Sequence, residues 1–335
     1  MFFSEGCCSL LFVKRNERSK NKKVLDRNRG KEGSMRKYFP SGTFTERLEE
    51  LWGKTGPLCV GLDVNIDEKG FPKDLIASCG EDVGQAILRF GQEIVDATSE
   101  FVCAFKPNLA FYIRYGMAGL QALQDLNDYI HDKYPHIPVI VDAKIGDIGN
   151  TNDGWVQGLF HEFGADAITV HGYLGMEAMK PFLGQKERGI IMLCKTSNPG
   201  SGEFQDLRLS ESDISLYQKL AMKVAEHWNY NDNCALVAGA TYPDEIGIIR
   251  TAAGSEMPLL IPGIGKQKGN LEGSIKNGRG KDNLSMILNN SRAILYAAGD
   301  DEDSGGSNAK NFAGAAHEAA KKNHEKIQAA LNAVA

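Results

Sequence analysis

PVIVDAKIGDIGNTNDGWVQGLFHEFGADAITVH, residues 138–171, reads as a strand, a helix and a second strand. The outer runs, PVIVDAK (138–144) and DAITVH (166–171), are short, apolar and rich in β-branched residues. Residues 150–163 between them have the length and mixed polarity of an amphipathic helix. A helix joining two such strands implies a parallel pair, because parallel strands need a long crossover. Nearly unbroken apolar runs mark parallel strands that are covered on both faces.

The same unit recurs in both directions. Upstream lie PLCVGLD (57–63) and VCAFKP (102–107). Downstream lie GIIMLCKT (189–196), CALVAGA (234–240), PLLIPGIG (258–265) and SRAILYA (291–297). Helical stretches are expected at 83–99, 117–133, 150–163, 174–184, 210–229, 243–253 and 282–289. A last helix is expected at roughly 310–333, after an acidic loop, GDDEDSGGSN (299–308). Eight βα units in sequence predict an α/β protein of the (β/α)8 TIM-barrel class, with one domain over residues 38–335. An open doubly wound sheet would want a Gly-rich turn after its first strand, and VGLDVNID offers none.

Size and composition agree with this reading. A chain of 335 residues with 42% hydrophobic content can bury one large core. No apolar run is long enough to span a bilayer, so the chain is expected to be soluble and cytoplasmic, without a membrane partner. The seven cysteines (Cys7, Cys8, Cys59, Cys79, Cys103, Cys194 and Cys234) are odd in number and scattered. That pattern fits a reducing compartment better than a disulfide framework. Cys7 and Cys8 lack a second pair at zinc spacing, and no histidine–carboxylate spacing forms a metal-binding helix motif. No metal is expected.

Charge is unevenly spread. Residues 1–38 hold 11 Lys and Arg against 4 Asp and Glu, and the remainder holds 27 against 39. An acidic body argues against nucleic-acid binding by the main domain. The basic segment 1–37 reads as a disordered tail, or as residues upstream of a true start at Met35. An organelle-targeting peptide or an RNA-binding arm are the other readings, while a secretory signal lacks its basic leader and cleavage site.

In a barrel of this kind the chemistry sits at the C-terminal ends of the strands. The first candidate ends at Asp63 and the second at Lys106 and Asn108. The third ends in Asp142, Lys144 and Asp147, and the fifth in Lys195, Thr196, Ser197 and Asn198. The seventh ends in a Gly-rich turn and the eighth opens with Arg292. Charged groups on buried strands are costly unless paired, so this concentration predicts a polar pocket of alternating sign. Asp142 and Lys144 are two apart and share a strand face. A lysine flanked by carboxylates keeps its proton, which suits a general acid and not a Schiff base. Gly263 and Gly265 let backbone N–H groups approach an anion, and Arg292 can grip a phosphate through two parallel hydrogen bonds. Residues 263–283, rich in Gly and Lys, read as a mobile lid over that phosphate. His171 reads as a structural histidine, and Trp52, Trp155 and Trp228 as helix-packing residues.

The segments GLDVN (61–65), FKPNLAFY (105–112), DAKIGDIGNT (142–151), KTSNPGS (195–201), PGIGKQKG (262–269) and SRAI (291–294) resemble the orotidine 5′-phosphate decarboxylase family. The likeness is to its longer, type 2 branch, found in bacteria and apicomplexans, and runs from about residue 44 to the C-terminus. It implies a cofactor-free barrel homodimer that converts orotidine 5′-phosphate to UMP and carbon dioxide, the last step of de novo pyrimidine nucleotide synthesis. In it, Asp63 and Lys106 would hold the ribose hydroxyls, with Asn108 nearby. Asp142 would face the substrate carboxylate, and Lys144 would protonate pyrimidine C6. Asp147, Ile148 and Thr151 would reach into the partner subunit's site. Thr196 and Ser197 would contact the pyrimidine. Gln267 and Arg292 would grip the phosphate, with Pro262 and Gly265 also among the substrate-binding residues.

Two other readings stay open. Hexulose-phosphate synthases carry a similar D-x-K-x-x-D segment but run a magnesium-dependent aldol reaction. An inactive barrel could also serve as a nucleotide-binding module. In some organisms the decarboxylase is fused to an orotate phosphoribosyltransferase, so this chain is expected to act alone or to bind such a partner non-covalently.

Overall fold

Alternation along the strands sorts their residues into two apolar layers. In β4 (Ala167–Val170), Ala167 joins an inner cluster while Ile168 and Val170 join an outer one. The other strands repeat this: Ile191 of β5 (Gly189–Lys195) faces inward and Ile190 and Met192 outward, and Ile287 of β8 (Met286–Asn290) faces inward between Met286 and Leu288. The remaining strands are β1 (Leu58–Gly61), β2 (Ala104–Lys106), β3 (Ile140–Ile145), β6 (Cys234–Ala238) and β7 (Leu259–Pro262). The computed structural model describes residues 42–265, 269–299 and 311–334. The basic extension 1–37, most of GDDEDSGGSN and Gln267 lie outside the described residues.

All eight strands are parallel, in the order β2-β1-β8-β7-β6-β5-β4-β3. Bridges from Phe105 to Val139 and from Asn108 to Asp142 join the two outer strands and close the ring. This is the (β/α)8 barrel that the sequence predicted. The helices covering it are α2 (Val83–Thr98), α3 (Gly116–Lys133), α4 (Gly149–Val156), α5 (Gly175–Leu183), α6 (Leu216–Lys223), α7 (Pro243–Ala253), α8 (Leu271–Gly278) and α9 (Phe312–Val334), after a first helix α1 (Phe44–Thr55). Among the described residues, no helix is long and apolar enough to cross a membrane.

Helix α1 closes the bottom of the barrel. It starts at a capping box in which Thr43 accepts from the Glu46 N–H and Glu46 accepts from the Thr43 N–H. Its face of Phe44, Leu48, Leu51 and Trp52 completes the inner cluster. Phe44 packs so closely on Gly189 that a Cβ there would lie 2.3 Å from its ring. Arg47, on the same helix, reaches a fully buried Asp166 at 2.5 Å. Asp166 also accepts from the Val139 N–H at 2.8 Å and lies 3.1 Å from His131 Nε2.

Three expectations need correction. The eighth strand is Met286–Asn290, not SRAILYA, and the helix expected at 282–289 is that strand. Residues 292–295 form a helical turn in which the Ser291 carbonyl accepts from Ile294 and Leu295. Three apolar residues, Met286 to Leu288, suffice for β8 because both layers are already nearly complete, and the longer run SRAILYA masked them. Second, residues 271–278 are not part of a lid. They form α8, capped by Asn270, with Ile275 fully buried, and they pack on α7. Third, Trp155 is 37% exposed, whereas Trp52 and Trp228 are buried as expected.

Candidate active site

Continuing the inward alternation toward the strand ends replaces apolar residues with polar ones. Ala104 is followed by Lys106, Ile140 by Asp142, Ala167 by Thr169 and Ile287 by Asn289. Leu193, Val237 and Leu260 hold the other inward positions. These side chains line a cavity of about 680 Å3 at the C-terminal mouth of the barrel. Ten of the sequence-predicted residues line it: Asp63, Lys106, Asn108, Asp142, Lys144, Thr196, Ser197, Pro262, Gly265 and Arg292. Arg292 follows β8 instead of opening it, so it stands at the mouth and not at the base.

Asp142 is the hub. Its Oδ1 accepts from Lys144 Nζ at 2.5 Å and from Thr169 Oγ1 at 2.7 Å. Its Oδ2 accepts from Lys106 Nζ at 3.0 Å and from Asn108 Nδ2 at 3.4 Å. Burial opposes ionisation of this carboxyl. The charges of Lys106 and Lys144, with the hydrogen bonds from Lys144 and Thr169, outweigh it and hold the group well below the usual carboxylate range. Lys106 is also buried, which disfavours its charge. Asp142 and Asp63 overcome that cost and push its pKa above the ordinary lysine value. The cavity floor is thus a fixed array of charges already ionised before any ligand arrives.

Lys144 reaches Asp142 by an irregular backbone. Val141 pairs with Ile168 and Ile145 with Val170, so four steps along β3 match two along β4. Within this bulge Lys144 takes φ +51°, a left-handed conformation that costs a non-glycine residue roughly 1–2 kcal/mol. The simple two-residue spacing placed Asp142 and Lys144 together correctly, but did not foresee that a bulge re-aims the lysine. Its side chain remains about half exposed to the cavity.

Asp63 lies one inward step beyond Gly61. Its Oδ1 is buried and, among the described residues, has no hydrogen-bond partner. Such an acceptor, next to Lys106, is ready for a ligand hydroxyl. Next round the barrel, at the ends of β7 and β8, Pro262, Gly263, Gly265 and Arg292 surround one end of the cavity, and Gly263 has φ +102°. A Cβ at Gly265 would lie 2.3 Å from Asn290 Oδ1, so only glycine lets this turn approach β8. Gln267, predicted for this end, lies outside the described residues.

Asp147, Ile148 and Thr151 do not line their own cavity. Asp147 accepts from the Ile148 N–H at 2.7 Å, and Ile148 is 55% exposed. The loop is held by Asn152, which is fully buried. Asn152 accepts from the Asp147 N–H and donates to the carbonyls of Asp147 and Ala178. Sequence reasoning missed Asn152, and also Gln205 and Thr169. Gln205 accepts from the Thr196 N–H at 2.9 Å and donates to Thr196 Oγ1, folding the loop after β5 back over the mouth. Buried Lys195 pairs with Asp206 at 2.6 Å and lies 4.5 Å from the Tyr242 ring, which ties the same loop down. Thr169 stands two residues after inward-facing Ala167, which gives its direction but not its partners, Asp142 and Lys144. Among the described residues, no group of three or more His, Cys, Asp and Glu is placed to hold a metal ion.

The chain matches known proteins over most of its length. Residues 56–305 match the family described as orotidine 5′-phosphate decarboxylase / HUMPS. The orotidine 5′-phosphate decarboxylase of Cupriavidus taiwanensis is 44% identical over 286 residues, covering 85% of this chain and 97% of that protein. The structure of Leishmania donovani OMP decarboxylase superposes with a TM-score of 0.71 at 31% identity, covering 86% of this chain and 98% of the other. L. donovani UMP synthase gives a TM-score of 0.74 at 32% identity over 87% of this chain. Here the match spans 57% of the longer protein. The chain therefore belongs to the orotidine 5′-phosphate decarboxylase / HUMPS family.

Proposed function

We propose that this chain converts orotidine 5′-phosphate to UMP and carbon dioxide, with protein charges alone supplying the stabilisation. The observation that carries the reading is the array Lys106–Asp142–Lys144 on the floor of a cavity that has on one wall an Asp63 carboxylate oxygen unpartnered among the described residues. Asp63 and Lys106 hold the ribose hydroxyls, with Asn108 nearby. Thr196 and Ser197 meet the pyrimidine, and Pro262, Gly265, Gln267 and Arg292 hold the phosphate. The substrate carboxylate then lies against Asp142. As its bond to C6 breaks, carbon dioxide leaves and the electron pair stays on C6. Lys144 donates its proton to that carbon and is reprotonated from solvent. A fixed ammonium at the developing carbanion lowers the barrier electrostatically. Like-charge crowding by Asp142 disfavours the reactant.

The active unit in this reading is a homodimer, with Asp147, Ile148 and Thr151 completing the partner subunit's site. Exposed Ile148, Tyr173 and Leu174 on neighbouring βα loops, with Trp155 on α4, supply an apolar surface, as an interface requires. Cys59, Cys103, Cys194 and Cys234 are buried free thiols, which supports a cytoplasmic setting. Association with a separate orotate phosphoribosyltransferase is a further part of the proposal, tested by co-purification.

The deciding assay follows orotidine 5′-phosphate absorbance, with UMP measured as product, in the presence of EDTA. The decarboxylase reading expects undiminished conversion under chelation. Conversion that needs added magnesium, or an aldol product from hexulose phosphate, would favour the aldolase. Tight UMP binding without turnover would favour the inactive barrel.

A further inference from the structure

We infer that Thr169 is a positioning residue that sets the geometry of the Asp142–Lys144 pair through its hydroxyl. The inference rests on the decarboxylase reading above. Thr169 faces into the barrel from β4 and is 1% exposed. Its Oγ1 donates to Asp142 Oδ1 at 2.7 Å and accepts from the Lys144 backbone N–H at 2.9 Å. One hydroxyl therefore holds both members of the pair, one by its carboxylate and the other by its backbone.

The need for it comes from the bulge. Between Val141 and Ile145, β3 carries more residues than β4 can pair, so Lys144 is left without a ladder partner on β4. Thr169 Oγ1 provides the missing acceptor, and this bond restrains a lysine at φ +51°. Strained backbone persists only where the surroundings fix it. The other bond is charge-assisted and fixes which way the carboxylate faces. With Oδ1 held by Thr169 and Oδ2 by Lys106, the plane of Asp142 is set from two sides before Lys144 Nζ joins it. Valine matches the shape of threonine but can make neither bond. Serine can make both.

The test compares Thr169→Val, Thr169→Ser and wild type, with kcat and KM for orotidine 5′-phosphate, UMP affinity and Tm measured for each. The expected result for Thr169→Val is a kcat lower by about 10- to 100-fold, with KM and UMP affinity within about threefold of wild type. Thr169→Ser should recover most of the lost kcat. A merely structural role would not divide kcat from KM in this way, nor be rescued by serine. Retention of kcat within about twofold in a folded Thr169→Val overturns the inference, as does a Thr169→Ser variant no better than valine. If the valine variant does not fold, Thr169→Ala against Thr169→Ser makes the same comparison. Wild-type protein that leaves orotidine 5′-phosphate unchanged overturns the decarboxylase reading itself, a different outcome from an unaffected variant.

Discussion

At the scale of single residues, the site is an exercise in keeping charges buried. Asp142 is tolerable in the barrel only because four donors converge on it. Removing the more buried of its two lysine donors exposes that dependence. Lys106→Met should lower kcat by at least about 100-fold and destabilise the fold by roughly 3 kcal/mol, since a buried carboxylate loses its main counter-charge. Steady-state kinetics with chemical denaturation measures both effects, and an unchanged denaturation midpoint would contradict the account. Much of this was legible in the sequence. Asp63, Lys106, Asp142 and Lys144 stood out because polar residues ended apolar strands. Thr169 and Asn152 did not, since a threonine in a strand and an asparagine in a helix are unremarkable until their partners are known. The φ of Lys144 had no sequence signal, because bulges arise from register between strands distant in the chain.

At the scale of elements, near-continuous apolar runs located seven of the eight strands, and failed at β8 where three apolar residues sit beside a longer apolar helical turn. The same compositional reading mistook α8 for a lid, because its apolar anchors are only Ile275, fully buried, and Leu271, partly buried, in a helix otherwise small and polar. Its C-terminal end is fixed from below by Arg250, which donates to the carbonyls of Gly254, Met257, Gly278 and Ser285. Burial lowers the Arg250 pKa to about 10. Arg250→Met would leave these buried carbonyls unpaired, and should cost on the order of 3 kcal/mol in thermal or chemical unfolding. Helix α1 is held by a comparable contact at Asp166. Burial opposes the charge of Asp166, but the His131 hydrogen bond and Arg47 hold its pKa down to about 2. A depressed carboxylate pKa stabilises the fold above the unfolded value of roughly 3.9, and that contribution is lost as pH falls toward 2. The stability advantage of wild type over Asp166→Asn should therefore shrink by on the order of 2 kcal/mol between pH 4 and pH 2. A constant difference across that range, measured by urea unfolding, would contradict the assignment.

At the scale of the whole molecule, one alternation does two jobs. Inward residues are apolar at the end sealed by α1 and, on β2, β3, β4 and β8, polar at the mouth, so the same strands supply the core and the polar lining of the cavity. The proposed sharing of sites between subunits rests on the family resemblance, because nothing in the spacing of Asp147 and Thr151 says which chain's site they serve. Tyr173, 91% exposed, offers a handle on it. Tyr173→Glu should shift the protein toward monomers in sedimentation and lower turnover with them, whereas a fully active monomer would refute the shared site. The central claim is that Lys144 delivers the proton to C6, and the most direct measurement is turnover of orotidine 5′-phosphate by Lys144→Ala beside its affinity for UMP. The account predicts kcat reduced by at least about 1,000-fold while UMP affinity stays within about tenfold of wild type. Near-normal turnover in that variant would contradict it.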